Sequence, residues 1–202
     1  MDAALEALRD EGYAGATARS IGARGDFNPA LIFYHFGGVD ELFLAALDRT
    51  SRLRLDRYRH DLADVTGLAE LVAALRTLYA EDLESGHVAA VQELVAASAF
   101  SATMGPPIVA LMQPWLAFSQ ELISRVLQRT ALGNVVSPED VAFAMVALYL
   151  GLETMTRLTG GDRGRVRVLF ASAQRGAAII EPLLGGRRTS KASRKPRPVV
   201  LE

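Results

Sequence analysis

The sequence predicts an all-α protein, and three observations support this fold class. No segment shows the sustained alternation of apolar and polar residues that marks a half-buried strand. Neither Asn-Gly nor Asp-Gly, the pairs that favour two-residue hairpin turns, occurs in the chain. Helix start and stop signals are frequent instead, such as Ser137-Pro138 at one start and Gly160-Gly161 at one end.

Four helices are predicted in the first 60 residues. Gly12 ends the first helix, and Thr17 is a suitable N-cap for the second. Asn28-Pro29 begins the third, because asparagine caps free N–H groups and proline at the first helical position loses no hydrogen bond. The predicted ranges are residues 2–11, 18–24, 29–36 and 40–59.

The remainder of the chain is predicted to form longer helices and a polar tail. Apolar residues at steps of three and four predict helices over residues 68–84, 88–102, 106–132, 138–158 and 163–184. Residues 185–202 hold six basic residues and one acidic residue, together with serine and proline. This composition predicts a disordered basic tail.

The composition excludes several classes of protein. The absence of cysteine rules out disulfides, thiolate metal sites and a cysteine nucleophile, and it fits the reducing cytoplasm. Polar residues interrupt each apolar stretch before the roughly 20 residues needed to cross a bilayer, so no membrane partner is expected. The formal net charge is −1, so nucleic-acid binding would depend on the placement of a few groups.

Nothing in the sequence indicates an enzyme. There is no Gly-x-Ser-x-Gly elbow, no glycine-rich phosphate loop and no His-Glu-x-x-His pair, and the three histidines lie far apart in the chain. We therefore expect no catalytic residues, no metal and no cofactor.

The second and third predicted helices, with the tight turn between them, form a helix-turn-helix pattern. Such a pair can place its second helix in a DNA major groove about 12 Å wide. The generic pattern is also found where two short helices pack inside an ordinary bundle. The pattern alone leaves both interpretations open.

A longer set of residues around this pattern resembles the N-terminal signature of TetR-family regulators. The matching residues are Gly12-Tyr13-Ala14, Thr17, Arg19, Ile21, the run at 28–36 and Asp40-Glu41-Leu42. The resemblance implies a three-helix DNA-binding head at residues 1–48, with a linking helix to about residue 60. It also implies a ligand-binding and dimerisation domain at residues 61–184 and double-stranded DNA as a partner.

The resemblance also implies which side chains contact DNA. Arg19 would contact phosphate or a base edge, and the Tyr34 hydroxyl and the His35 ring would contact phosphate. The full set of implied DNA-binding residues is Thr17, Arg19, Asn28, Pro29, Ala30, Leu31, Phe33, Tyr34 and His35. The spacing of Phe27, Ile32 and Phe36 suits packing under the neighbouring helices instead.

The sequence departs from the family pattern at three places. Asp26 stands in the turn where the family has glycine, although aspartate tolerates the left-handed conformation better than most residues. Val39 replaces a lysine that precedes the fourth helix, which removes one phosphate contact. The first helix begins almost at Met1, whereas relatives have a longer lead-in.

The last two helices are predicted to form a dimer interface. The helix at 141–158 is apolar almost all round and is broken mainly by Glu153, so it needs cover on more than one side. The last helix carries a stripe at Val166, Phe170, Ala173, Ala177 and Ile180. Two such helices from each copy would make a four-helix interface, as in the TetR family. The alternative is the core face of a monomer.

The middle helices are predicted to hold a ligand. Aromatic and methionine side chains with few polar groups suit an apolar or aromatic small-molecule effector. The predicted ligand-binding residues are Phe100, Met104, Met112, Trp115, Phe118, Tyr149 and Glu153. Each could instead belong to the core, and Glu153 could be a partnered buried carboxylate.

The residues and the resemblance together predict a homodimeric, ligand-responsive transcription repressor. A small hydrophobic or aromatic effector would release it from a palindromic operator. The alternative is a helical protein-interaction or ligand-binding module without specific DNA binding, which the neutral head and Val39 would suit.

Overall fold

The computed structural model describes residues 1–99 and 103–184, and every regular element in these ranges is helical, which confirms the predicted fold class. The predicted basic tail at 185–202 and the predicted ligand residue Phe100 lie outside the described residues. The helices are α1 Asp2–Gly15, α2 Ala18–Gly25, α3 Ala30–Phe36, α4 Val39–Asp61, α5 Leu68–Ser85, α6 His87–Ser98, α7 Gly105–Leu127, α8 Pro138–Leu158 and α9 Gly164–Leu184.

Three helix ends differ from the prediction by more than two residues. α6 ends at Ser98 and not at residue 102, and the ends of α1 and α7 differ for local reasons. α1 is interrupted at Gly12, which has a φ of 70°, and one further turn follows before the helix ends at Gly15. α7 stops at Leu127 because the Thr130 hydroxyl donates to the Leu127 carbonyl, and a single 3-10 turn follows. A Cβ on Gly133 would lie 2.7 Å from that same carbonyl, so the returning chain crosses close to the helix end.

The first four helices pack around one apolar core, which we call the head core. Its largest fully buried side chains include Leu8, Ile21, Ile32 and Phe43. Phe27 and Phe36 are half-buried against it, as their spacing predicts. The head core also contains Ala90 and Leu94 of α6. Met104, which precedes α7, and Ile108 of α7 belong to it as well. The head is therefore packed onto the larger domain, in addition to being joined to it through α4.

A second core fills the larger domain and involves α4, α5, α7 and α8. Leu55 and Tyr58 of α4 are buried there with Leu71 of α5 and Leu122 of α7. α4 therefore contributes buried side chains to both cores. α7, which is also 23 residues long, contributes to both cores as well, and α4 is the helix that joins the head directly to the larger domain along the chain.

The turn between α2 and α3 depends on a close approach at Gly22. A Cβ there would lie 2.7 Å from Pro29 Cγ and 2.9 Å from the Phe27 carbonyl oxygen. Asp26 adopts the left-handed conformation, with φ 51° and ψ 51°, and its N–H donates to the Gly22 carbonyl. The turn thus tolerates aspartate at the position where the family has glycine.

We expect Gly22→Ala to destabilise the head by about 1 to 3 kcal/mol, because the new methyl must push α2 away from α3. Asp26→Gly should instead stabilise it by about 0.5 to 1 kcal/mol, since glycine removes the cost of a left-handed residue. Urea denaturation of both variants measures these changes. A stability for Gly22→Ala equal to that of the unaltered protein would contradict the close packing of the turn.

Candidate DNA-binding and effector sites

The surface of α3 presents several large side chains to solvent. Tyr34 is 83% exposed, Phe33 is 56% exposed and Leu31 is 44% exposed, whereas Ile32 between them is buried. The rings of Tyr34 and His35 meet edge to face, with centroids 4.9 Å apart. Exposed aromatic side chains contribute nothing to the core, so α3 has a face that is free to contact another molecule.

Two side chains implied as DNA contacts also shape the local fold. The Asn28 carboxamide oxygen accepts from the Ala30 N–H at 2.9 Å, and the Thr17 hydroxyl accepts from the Ser20 N–H at 3.2 Å. Each therefore caps a helix start. Pro29 is half-buried and lies against Gly22. Asn28, Thr17 and Pro29 lie at the edge of the α3 surface. They also hold that surface in place.

Arg19 differs from the other arginine of α2. Arg24 forms ion pairs with Asp10 at 2.9 Å and Glu11 at 2.8 Å, so α1 already holds its guanidinium. Arg19 is exposed and makes no ion pair with any residue that the structure describes. Its charge is therefore available to a phosphate group.

The larger domain contains an internal cavity of about 100 Å³. Its walls come from α4 to α8 and are mostly apolar or aromatic. Four of the predicted ligand residues line it, namely Met112, Trp115, Phe118 and Tyr149. Met104 does not, because it is buried in the head core, and its assignment to a ligand pocket is corrected accordingly. Glu153 is buried, yet it is not part of the cavity wall.

One end of the cavity is polar, and its chemistry centres on Asp82. The carboxylate of Asp82 is buried and accepts from the Tyr58 hydroxyl at 2.6 Å. It also accepts from the Tyr149 hydroxyl and pairs with the Arg54 guanidinium. α4, α5 and α8 thus meet in one hydrogen-bonded cluster, which we call the Asp82 cluster. Burial lowers the pKa of Arg54 and raises the pKa of Tyr58 and of Tyr149.

Sequence reasoning missed the Asp82 cluster, although the sequence contains a signal for it. Asp82 follows Leu78 by four residues on the apolar face of α5, and Arg54 and Tyr58 stand four apart on α4. An acidic residue on an apolar stripe requires a buried partner. The spacing could have shown that partners were needed, but it could not show which helices supply them.

His87 lies at the junction of α4, α6 and the cavity. Its Nδ1 is 3.3 Å from the Thr50 hydroxyl and its Nε2 is 3.4 Å from the Ser51 hydroxyl. Trp115 packs near the ring, with centroids 6.3 Å apart. Burial, aided by the charge of Arg54, lowers the pKa of His87 from 6.5 to about 3. The imidazole is therefore neutral in the folded protein at physiological pH.

The depressed pKa of His87 predicts a loss of stability in mild acid. Below pH 6.5 the unfolded chain takes up a proton that the folded chain does not, down to about pH 3. Each pH unit in that window should remove about 1.4 kcal/mol from the free energy of unfolding. His87→Gln should flatten this dependence in urea denaturation at several pH values, whereas His60→Gln, at an exposed site, should leave it unchanged. An equal slope in both variants would contradict the neutral, buried His87.

The predicted dimer stripe of α9 divides between two faces. Val166 and Ala177 are buried within one chain, and Phe170 packs on Tyr79 with ring centroids 5.7 Å apart. Phe170 belongs to the contact between α5 and α9, and Val166 and Ala177 are covered within one chain, so the assignment of these three to the interface is corrected. Ala173 and Ile180 are exposed. They share one face of α9 with other apolar or small residues that are exposed or half-buried. The exposed apolar stripe on this face consists of Leu169, Ala173, Gly176, Ile180 and Leu183.

α8 carries a matching exposed stripe at Ala144, Leu148, Gly151, Met155 and Leu158. By length and composition α8 is apolar enough to cross a membrane, and only 17% of its most apolar window is buried within the chain. Leu158 is 73% exposed and Leu183 is 80% exposed. Two exposed apolar stripes of this length are unusual on the surface of a monomer.

Comparison with known proteins agrees with this geometry. The family model described as "Bacterial regulatory proteins, tetR family" matches residues 1–46. No curated protein matches the chain.

Three solved structures resemble the whole chain. The fatty acid degradation regulator FadR from Bacillus halodurans has a TM-score of 0.70 at 14% identity, over 93% of each chain. A protein designated a TetR-family transcriptional regulator from Mesorhizobium loti has a TM-score of 0.69 at 17% identity, over 91% of this chain and 94% of that one. A transcriptional regulator from Saccharomonospora viridis, solved in complex with choline, has a TM-score of 0.66 at 20% identity, over 92% and 95%.

The family match covers the helices that form the head, and the structural matches extend the same fold over the larger domain. Residues 1–46 therefore match the tetR family of bacterial regulatory proteins, and the chain as a whole shares the fold of these solved structures.

Proposed function

We propose that the protein is a homodimeric repressor that leaves a palindromic operator when a small apolar or aromatic effector enters the cavity. The observation that carries this proposal is the position of α4. Phe43 of this helix is buried in the head core, and Tyr58 of the same helix lines the cavity. A change in the cavity wall can therefore alter the position of the head through one rigid element.

The chemistry of the cavity supports the proposed class of effector. Its walls are mostly aliphatic and aromatic, and the polar groups at one end are already paired with one another in the Asp82 cluster. Small-molecule sites commonly combine apolar walls with a few placed polar groups. That the regulator of similar fold from Saccharomonospora viridis was solved with choline supports the sensing of a small organic molecule by this chain as well.

The exposed stripes on α8 and α9 support dimerisation. Each stripe repeats at steps of three and four, and each has a glycine near its middle, Gly151 on α8 and Gly176 on α9. Small residues at the centre let two helices approach closely, and two helices from each copy would form a four-helix interface. A two-fold dimer would then present two copies of α3 to successive turns of DNA.

We expect Ala173→Arg and Met155→Arg to yield monomers, because each places a charge in the middle of an apolar interface. Light scattering at several protein concentrations measures the change in mass. Ala80→Arg is the matched control, since Ala80 is an exposed alanine on α5, away from both stripes. A dimer that persists in both interface variants would show that this face does not hold the two copies together.

Selection of bound sequences from a random DNA pool tests the proposed function. We expect a consensus with two-fold symmetry, bound by the full-length protein with an affinity that falls as salt rises, because phosphate contacts release counterions. An asymmetric consensus would contradict the dimeric mode of binding. Failure to enrich any sequence would favour a helical ligand-binding module without specific DNA binding.

A further inference from the structure

One buried carboxylate on α8, that of Glu153, has an oxygen atom that receives no hydrogen bond in the described part of the chain. Glu153 is only 6% exposed, and its Oε2 has no hydrogen-bond partner among the described residues. Arg157, one turn further along, is held by Glu93 at 3.0 Å, and Arg163 is exposed. Neither arginine lies within ion-pair distance of Glu153 in the described part of the chain. An unpaired buried carboxylate is costly, so its presence points to a role outside folding.

Three aromatic rings from three helices pack together near Glu153, and two of them, Tyr79 and Tyr149, interact electrostatically with its carboxylate. Tyr79 of α5 contacts Tyr149 of α8 edge to face at 5.2 Å, and it contacts Phe170 of α9 at 5.7 Å. The Tyr79 hydroxyl is 3.3 Å from the Thr156 hydroxyl, which is one turn after Glu153 on the same face of α8. Burial raises the pKa of Tyr79, and the nearby charge of Glu153 raises it further. The rings and the carboxylate therefore form one cluster, which we call the Glu153 cluster.

The Glu153 cluster adjoins the cavity through a shared side chain. Tyr149 lines the cavity and also packs on Tyr79, and Glu153 follows Tyr149 by one helical turn. Glu153 faces the interior of its own chain, together with Thr156, whereas Leu148 and Met155 lie on the exposed stripe. A second copy of the chain at that stripe would therefore approach the opposite face of α8.

We propose that the effector carries a monocationic organic group, an amine or a quaternary ammonium, which binds at the Glu153 cluster while its apolar body occupies the cavity. This inference rests on the proposed function and specifies the effector class. Aromatic faces attract organic cations through their quadrupoles, and the carboxylate supplies the opposite charge. An organic cation is more weakly hydrated than the small ammonium ion. It therefore loses less hydration free energy when it enters a site without water. The proposed cation would also place a positive charge next to Glu153 Oε2, which has no hydrogen-bond partner among the described residues.

Two probes of the same shape test the proposal. Phenyltrimethylammonium and tert-butylbenzene differ by one charge and hardly in size. The affinity of each for the full-length protein can be measured by calorimetry and by the fluorescence of Trp115, the only tryptophan, which lines the cavity. We expect the cation to bind roughly tenfold more tightly than its neutral counterpart, a difference of about 1.4 kcal/mol.

Glu153→Gln keeps the shape of the side chain and removes the charge. In this variant we expect the cation to lose about tenfold in affinity, while the affinity for tert-butylbenzene stays the same. Phe170→Leu should weaken the cation more than the neutral probe, because it removes one ring of the cluster. Glu139→Gln, at an exposed carboxylate at the start of α8, is the matched control and should change neither affinity.

The outcomes separate this inference from the proposed function. Equal affinities for the two probes, or a cation affinity that survives Glu153→Gln, would overturn the inference. If tert-butylbenzene alone lowers operator affinity, the repressor proposal stands and the cationic effector fails. If the cation binds through Glu153 without changing operator affinity, the site stands and the ligand-responsive function fails.

Discussion

Tyr34→Ala and His35→Ala should each weaken binding to the selected operator by about 1 to 3 kcal/mol, or roughly fivefold to 150-fold. Tyr34 is 83% exposed and His35 is also exposed, so neither contributes a buried contact whose loss would unfold the head. Fluorescence anisotropy with labelled operator DNA measures the affinity, and circular dichroism checks the fold. The melting temperatures should remain close to that of the unaltered protein.

Two arginine substitutions, one in the head and one far from it, provide the control for this prediction. Arg19→Ala, on α2 of the head, should weaken operator binding and reduce its salt dependence, since it removes one phosphate contact. Arg59→Ala, at the distant end of α4, removes another exposed arginine, one that pairs with Asp56, and should leave both unchanged. Similar losses in the two variants would mean that general charge, and not the α2 and α3 surface, governs binding. Unfolding of the head in Tyr34→Ala would place that side chain in the core.

Asp82→Ala should have the largest effect on stability, a loss of about 3 to 5 kcal/mol in the free energy of unfolding. The substitution leaves the half-buried guanidinium of Arg54 and two tyrosine hydroxyls without their shared acceptor. Adding Arg54→Met to Asp82→Ala should restore part of the lost stability, because the double variant no longer buries an unpaired charge. Urea denaturation of the single and double variants measures both changes.

The control for Asp82 is the exposed ion pair that lies beside it. Glu81 contacts Arg57 at 2.6 Å, and both side chains are about half exposed. Glu81→Ala should therefore cost less than about 1 kcal/mol. If Asp82→Ala costs as little as Glu81→Ala, the Asp82 cluster is not the buried junction of α4, α5 and α8 that the contacts describe.

The head could be predicted from the sequence because its signals are local. Thr17 and Asn28 cap helices within three residues of themselves, and φ is positive at Gly12, which interrupts α1, and at Gly37, which ends α3. Such features depend on neighbours in the chain, which a sequence displays directly. The fold class and the helix positions are consequently close to those predicted.

The effector site could be predicted only in part, because it depends on contacts between distant segments. Met112, Trp115 and Phe118 could be recognised as apolar residues of one helix, and they do line the cavity. The partners of Asp82 lie 28 residues away at Arg54 and 67 residues away at Tyr149. No spacing within one helix indicates such pairs.

The dimer stripe illustrates a different limit. Residues Val166, Phe170 and Ala177 and residues Leu169, Ala173 and Ile180 all repeat at helical steps, so both faces of α9 are apolar. Only the contact with Tyr79 of α5 shows which face is already covered. A helix that packs on two sides has more than one apolar stripe. Its periodicity therefore does not show which stripe lies in the protein core and which lies at an interface.

The central claim is that the cavity and the DNA-binding surface are coupled through α4. The most direct test measures the dissociation constant of an effector with and without saturating operator DNA. The ligand should be the compound that most strongly quenches Trp115 in a panel of small apolar, aromatic and organic cationic molecules. Linkage requires each ligand to weaken the other equally, so we expect the constant to rise with DNA by roughly fivefold to 150-fold, a coupling of about 1 to 3 kcal/mol. An effector that binds equally well with and without the operator would contradict the coupling.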